Sequence, residues 1–142
     1  MRKITIKNLQ KKIPIYPKRI KTAVLKVFAA EDKKLYLDIT VSFVNDRLIR
    51  KLNYKFLRVN QPTDVLAFDL NRVKNRTNLV ADLVISTDTA KRNGKIYKTS
   101  TQRELELYVI HGALHLLGYD DLTLKGAKLM RKKECQFIKQ TP

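Results

Sequence analysis

The sequence predicts one compact domain that mixes β-strands with α-helices. Three observations predict it. Short stretches alternate apolar and polar residues strictly, as at 3–7 and 35–41. Longer stretches repeat apolar residues at helical spacing, as at 19–30 and 123–139. No repeat, low-complexity run or composition shift marks a linker between them.

Taken in order, Lys3-Ile-Thr-Ile-Lys7 is rich in β-branched residues and reads as a first strand near a sheet edge. Pro14 and Pro17 interrupt the chain before a helix over about Arg19 to Ala30. Its apolar stripe is Ile20, Ala23, Val24, Val27 and Phe28. Leu35, Leu37, Ile39 and Val41 share one face of a second strand, with Asn45 or Asp46 placed to cap the next helix. That helix runs to about Phe56 and buries Leu48, Ile49, Leu52 and Phe56. Asn60-Gln61-Pro62 ends it, and Thr63 to Phe68 reads as a short strand.

Polar Asp69 to Asn78 is expected as an exposed loop, and Ala81 to Ile85 as a short buried strand. Ser86-Thr-Asp-Thr89 can cap a short helix to about Arg92, Asn93-Gly94 predicts a turn, and Lys95 to Thr101 a basic loop. Gln102 to Leu117 is a helix, nearly all apolar after Leu107, and therefore buried on most sides. A final helix spans about Thr123 to Lys139.

The chain has 142 residues, enough to bury a core without staples, and its 44% hydrophobic content fits a folded globule. Its one cysteine, Cys135, excludes an internal disulfide framework and fits a reducing compartment. No apolar leader or membrane-length run is present, so a cytoplasmic location is expected. Lys and Arg number 30 against 13 Asp and Glu, a formal charge of +17. Such a balance suits a polyanion, RNA or DNA first. An anionic membrane surface fits less well, since no helix clearly pairs an exposed aromatic anchor with its lysines.

Both histidines of the chain lie at His111-Gly-Ala-Leu-His115, followed by Leu-Leu-Gly118-Tyr-Asp120-Asp121. On a helix this spacing stacks the two imidazoles one turn apart on one face. Gly118 lets the chain turn back, and Asp120 or Asp121 can then return a carboxylate to the same point. Asp121 is a third ligand or the cap of the next helix; Asp120 is an alternative ligand or a hydrogen-bond partner of a histidine. Tyr119 is read as core. Glu104, two turns before His111, is read as solvent-facing in preference to a structural bond near the site.

The protease motif His-Glu-x-x-His places its general base where this chain has Gly112, so a metalloprotease lacks its proton-transfer group. Metal-activated water serves other hydrolyses, and phosphodiester cleavage also needs cationic help. Metal helix and basic charge together therefore point to nucleic-acid hydrolysis.

With His111-Gly-Ala-Leu-His-Leu-Leu-Gly-Tyr-Asp120, Leu52-Asn53, Pro62-Thr-Asp-Val-Leu-Ala-Phe68 and Ala81-Asp-Leu-Val-Ile-Ser86, the sequence resembles the YbeY family of rRNA-maturation endoribonucleases. The match runs from roughly Ile39 to Leu124. The resemblance implies a small α+β, zincin-like fold over the whole chain, with a four-stranded mixed sheet and the metal site on a central helix. It implies one zinc ion on His111, His115 and Asp121, single-strand-specific RNA cleavage, and roles in 16S rRNA 3′-end maturation and ribosome quality control. Partners would be rRNA and ribosomal subunits, with no DNA or membrane.

Two positions depart from the family pattern. Its third ligand is usually histidine, and Asp121 stands here; a carboxylate is an acceptable zinc donor. Its catalytic arginine falls at Leu57, with Arg58 beside it, so Arg58 is the candidate catalytic cation if the loop shifts register. A leucine cannot neutralise phosphate, which leaves a non-catalytic RNA- or ribosome-binding assembly factor as the alternative. A DNA-binding regulator is more distant, because no helix-turn-helix or zinc-finger spacing occurs.

Overall fold

The computed structural model describes residues 2–72 and 77–139. Four strands, β1 (Arg2–Asn8), β2 (Tyr36–Val44), β3 (Val65–Asp69) and β4 (Asn78–Ser86), form one sheet in the order β1-β2-β4-β3. β1, β2 and β4 run parallel, and β3 pairs antiparallel with β4 at the edge. Five helices complete the described residues: α1 (Pro17–Glu31), α2 (Asp46–Leu57), α3 (Thr87–Ile96), α4 (Thr101–Leu116) and α5 (Leu124–Ile138). The result is a small α+β domain, and β1 lies at an edge as its sequence predicts.

Alternation decides which face of the sheet is covered. Leu37, Ile39, Val41 and Phe43 of β2 and Leu79, Ala81, Leu83 and Ile85 of β4 point to one side and are buried. There they meet Val24, Val27 and Phe28 of α1, Leu105, Val109 and Leu114 of α4, and Met130 and Phe137 of α5. Burying each large aliphatic side chain of this kind is worth about 1.5–3 kcal/mol, which makes this layer the main source of stability. The other face is covered only in part. α2 lays Ile49, with Leu48 and Leu52, over Val44, Leu66 and Val84. Tyr36, Asp38 and Val80 on that face remain exposed.

Caps fall where short polar side chains precede apolar runs. Asn45, Ser86, Ser100 and Thr123 each accept a backbone N–H from the first turn of α2, α3, α4 and α5, respectively. α1 begins two residues earlier than expected, with Pro17 in its first turn, where a missing N–H costs nothing. β4 begins at Asn78, three residues before the expected strand. Of the loop expected over Asp69 to Asn78, residues 73–76 lie outside the described residues.

The turn expected at Asn93-Gly94 is absent, and α3 continues through both residues to Ile96. Packing overrides the local signal. A Cβ on Gly94 would stand 3.2 Å from backbone atoms of Ser100 and Thr101, so the glycine admits the returning chain, not a turn. Asn93 is also engaged, its amide donating to the Tyr108 hydroxyl of α4 at 2.8 Å. Glu104 is buried, not solvent-facing, and accepts a hydrogen bond from Thr99 Oγ1 at 2.8 Å. No helix among the described residues is long and apolar enough to cross a membrane.

Candidate metal centre

α4 is the central helix. It packs between α1, α3 and α5 and lies across β3 and β4. It packs tightly on the sheet at Gly112, where an added Cβ would stand 2.7 Å from Leu83 Cδ2 and 3.2 Å from Val65 Cγ2. With that face pressed to the sheet, His111 and His115 emerge together at the margin of the core. Their Nε2 atoms lie 3.0 Å apart, with rings crossed at 72°.

The helix then ends in a Schellman motif. The N–H of Tyr119 donates to Leu114 O at 3.1 Å, and that of Gly118 to His115 O at 3.0 Å. Gly118 has φ of 104°, a left-handed conformation that glycine adopts without a Cβ clash. The reversed chain brings Asp121 back to the histidines, so that donor atoms of His111, His115 and Asp121 all lie within 4.8 Å of one another. The helix cap that competed for Asp121 is Thr123, whose Oγ1 accepts from Gly126 N at 2.9 Å. Asp120 accepts the N–H of Leu122 at 3.1 Å and is a turn residue. Tyr119 packs against the core, and its hydroxyl donates to Glu31 at 3.2 Å.

The residue that sequence reasoning missed is Glu134 of α5. Its Oε2 lies 3.3 Å from Nδ1 of His111, in a partly buried position. When His111 Nδ1–H donates to Glu134, the neutral ring presents the Nε2 lone pair to the shared point. Burial lowers the His111 pKa, but the Glu134 bond and charge, with Asp64 and Asp121, outweigh it and leave the net shift upward. For His115, burial and the charge of His111 together outweigh the neighbouring acids, and its pKa falls. No spacing in the sequence links Glu134 to a histidine 23 residues away. Only the packing of α5 on α4 does.

The donor set fits a divalent ion. Two nitrogens at ~2.0–2.1 Å from one zinc stand ~3.3 Å apart in a tetrahedral site. The observed 3.0 Å is within a few tenths of that, and one carboxylate completes a three-ligand set with room for a further position. His111 and His115 form one wall of an open cleft of about 610 Å³, whose other walls include Leu57, Val65 to Asp69 of β3, and Leu116 to Gly118.

Leu57 thus lies in the cleft. Arg58, the next residue, is exposed and terminates α2 in a left-handed conformation with φ of 60°. Its guanidinium stands 5.8 Å from the centroid of the Tyr54 ring, outside the cleft lining. Asn53 is buried, and its amide donates to Gln61 O at 2.9 Å, tying the end of α2 to the loop that leads into β3.

Fold and site together define a zincin-like α+β protein: a central helix with two histidines one turn apart, and a carboxylate returned by the next loop. The family model described as "Endoribonuclease YbeY" matches residues 5–142. The chain belongs to that family. Among its relatives, the endoribonuclease YbeY of Desulforamulus reducens is 35% identical over 140 residues, covering 92% of each chain. That of Syntrophus aciditrophicus is 34% identical over 140 residues, with 95% of this chain and 87% of the relative covered. A Thermotoga maritima protein solved in solution superposes with a TM-score of 0.66 at 25% identity, over 98% of this chain and 89% of its own.

Proposed function

We propose that this chain is a zinc-dependent endoribonuclease that cleaves single-stranded RNA in 16S rRNA 3′-end maturation and ribosome quality control. It would work in the cytoplasm as one domain over residues 1–142, with rRNA and ribosomal subunits as partners. The observation that carries this reading is the convergence of His111, His115 and Asp121 at the wall of an open cleft. Membership of an endoribonuclease family and the charge of +17 support RNA as the polyanion.

His111, His115 and Asp121 would hold the ion, and Glu134 would keep His111 in its ligating tautomer and orientation. Bound there, a divalent cation supplies Lewis acidity toward a phosphodiester and brings the pKa of water toward neutrality. The chain's own contribution is placement. β3 and Leu57 wall the cleft, and Arg58, the residue after Leu57 and outside the cleft lining, is the cation we assign to the substrate phosphate. The chain's many lysines and arginines would draw the polyanion to the cleft.

Leu57 in the cleft favours a second reading, an RNA- or ribosome-binding assembly factor that keeps the fold without turnover. The test is cleavage of an end-labelled single-stranded RNA by zinc-loaded protein. Cleavage that stops with chelator, stops in His115→Ala and rises in Leu57→Arg supports a weakened enzyme. Cleavage indifferent to both chelator and His115→Ala, or RNA binding with no cleavage even in Leu57→Arg, contradicts it.

A further inference from the structure

The last turn of α2 breaks the rule that a helix on a sheet buries its apolar residues. From Tyr54 to Val59 every side chain is exposed, and four of the six are aromatic or aliphatic. Phe56, expected in the core from its spacing, is 55% exposed, and so are Tyr54 at 51% and Leu57 at 57%. This also overturns the expectation that no helix pairs exposed aromatics with cations. Lys55 Nζ stands 5.3 Å from the Phe56 ring centroid, and Arg58 lies over Tyr54.

The patch is continuous with the cleft. The Phe56 ring meets that of Phe68, with centroids 5.1 Å apart and planes tilted by 57°, and Phe68 lines the cleft that holds the histidines. Contiguous exposed apolar surface of this kind marks an interaction site. A flat aromatic surface flanked by Lys and Arg matches one ligand chemistry closely: an unpaired base with its phosphates. Base stacking on an aromatic ring is worth about 1–3 kcal/mol and is indifferent to sequence, while the cations follow the backbone.

We propose that Phe56, backed by Phe68 and flanked by Lys55, is a base-stacking subsite for single-stranded RNA at the mouth of the cleft. This rests on the endoribonuclease reading and adds the means of strand selection. A base inside a duplex has both faces covered by its neighbours and cannot lie on Phe56; an unpaired one can. The subsite therefore favours a strand whose bases are free over one that is paired, without reading sequence.

The experiment is equilibrium binding of the full chain to a 2′-O-methyl single-stranded oligonucleotide of about twelve nucleotides. The same length of abasic backbone and of duplex serve as controls. Phe56 is exposed, so its variants are expected to fold, and Phe56→Leu keeps an apolar side chain where Phe56→Ala does not. The proposal predicts that Phe56→Ala and Phe56→Leu both weaken single-strand binding about 5- to 100-fold, while Phe56→Trp restores it. Abasic backbone should bind all four proteins equally, and Lys55→Gln should lower the salt slope by about one.

Single-strand binding unchanged in Phe56→Ala and Phe56→Leu overturns the subsite and leaves the nuclease reading standing. Binding of anionic phospholipid vesicles that depends on Phe56, with RNA binding indifferent to it, overturns the subsite in favour of a membrane-facing patch. Failure of the unmodified chain to bind any RNA removes both the subsite and the reading beneath it.

Discussion

Glu134 Oε2 lies 3.3 Å from Nδ1 of His111, so a carboxylate on α5 orients a histidine on α4. Acidic partners of this kind hold a ligating imidazole in one tautomer and raise its basicity. Glu134→Gln keeps the shape and removes the charge. It is expected to weaken zinc binding about 10- to 100-fold, read by competition with a chromophoric chelator, with little change in melting temperature. Unchanged affinity would show that Glu134 is only a packing contact.

Gly112 marks where α4 touches the sheet. Alanine is the better helix former by about 1 kcal/mol. Its methyl, however, would stand 2.7 Å from Leu83 Cδ2, a side chain fully buried in the core. Overpacking of this kind costs about 1–3 kcal/mol, so the clash is expected to win. Gly112→Ala should lower stability by roughly 1–2 kcal/mol in denaturant unfolding, and Gly112→Glu, which rebuilds the protease motif, considerably more. A stabilised Gly112→Ala would show that Leu83 yields freely. The position of the protease base is thus closed by packing as well as lacking its carboxylate.

Asp46 ties the N-termini of α2 and α3 together. Its carboxylate accepts from Ser86 Oγ at 2.6 Å, Thr89 Oγ1 at 2.8 Å and Arg92 Nη1 at 2.6 Å, and its N–H donates to Asp88. Burial raises its pKa, but these bonds and the Arg92 charge outweigh it, leaving the folded value below the ordinary 3.8. A depressed folded pKa means that the unfolded chain takes up the proton first. The stabilisation is therefore complete above the unfolded value and disappears as pH falls through the folded one. Asp46→Asn should cost about 1–3 kcal/mol near neutral pH, and the gap from the parent should shrink near pH 3. A gap that is the same at both pH values would contradict this.

The histidine helix was legible because its chemistry is local: two imidazoles one turn apart and a glycine that reverses the chain are written within eight residues. Strand and helix order followed from alternation and from short polar caps at Asn45 and Ser86. What the sequence could not show depends on distant elements meeting. Glu134 reaches His111 only because α5 packs on α4, and Gly94 reads as a turn until Ser100 is seen passing against it. Glu104 looks like a surface residue until Thr99 is found bonded to it. The cap that competed for Asp121 is likewise found elsewhere, at Thr123, and Asp121 instead lies beside the two histidines. Phe56 has core spacing, yet at the last turn of α2 its ring meets only the rim of the sheet at Phe68 and stays largely exposed.

The central claim is that His111, His115 and Asp121 form one metal-holding set, and zinc per chain tests it most directly. Elemental analysis of the purified, zinc-supplied chain beside its Asp121→Ala and His115→Ala variants is expected to give about one zinc per parent chain. Both variants should lose it while keeping the parent's circular dichroism. A parent chain that holds no zinc after loading, or variants that hold as much as the parent, would contradict the claim.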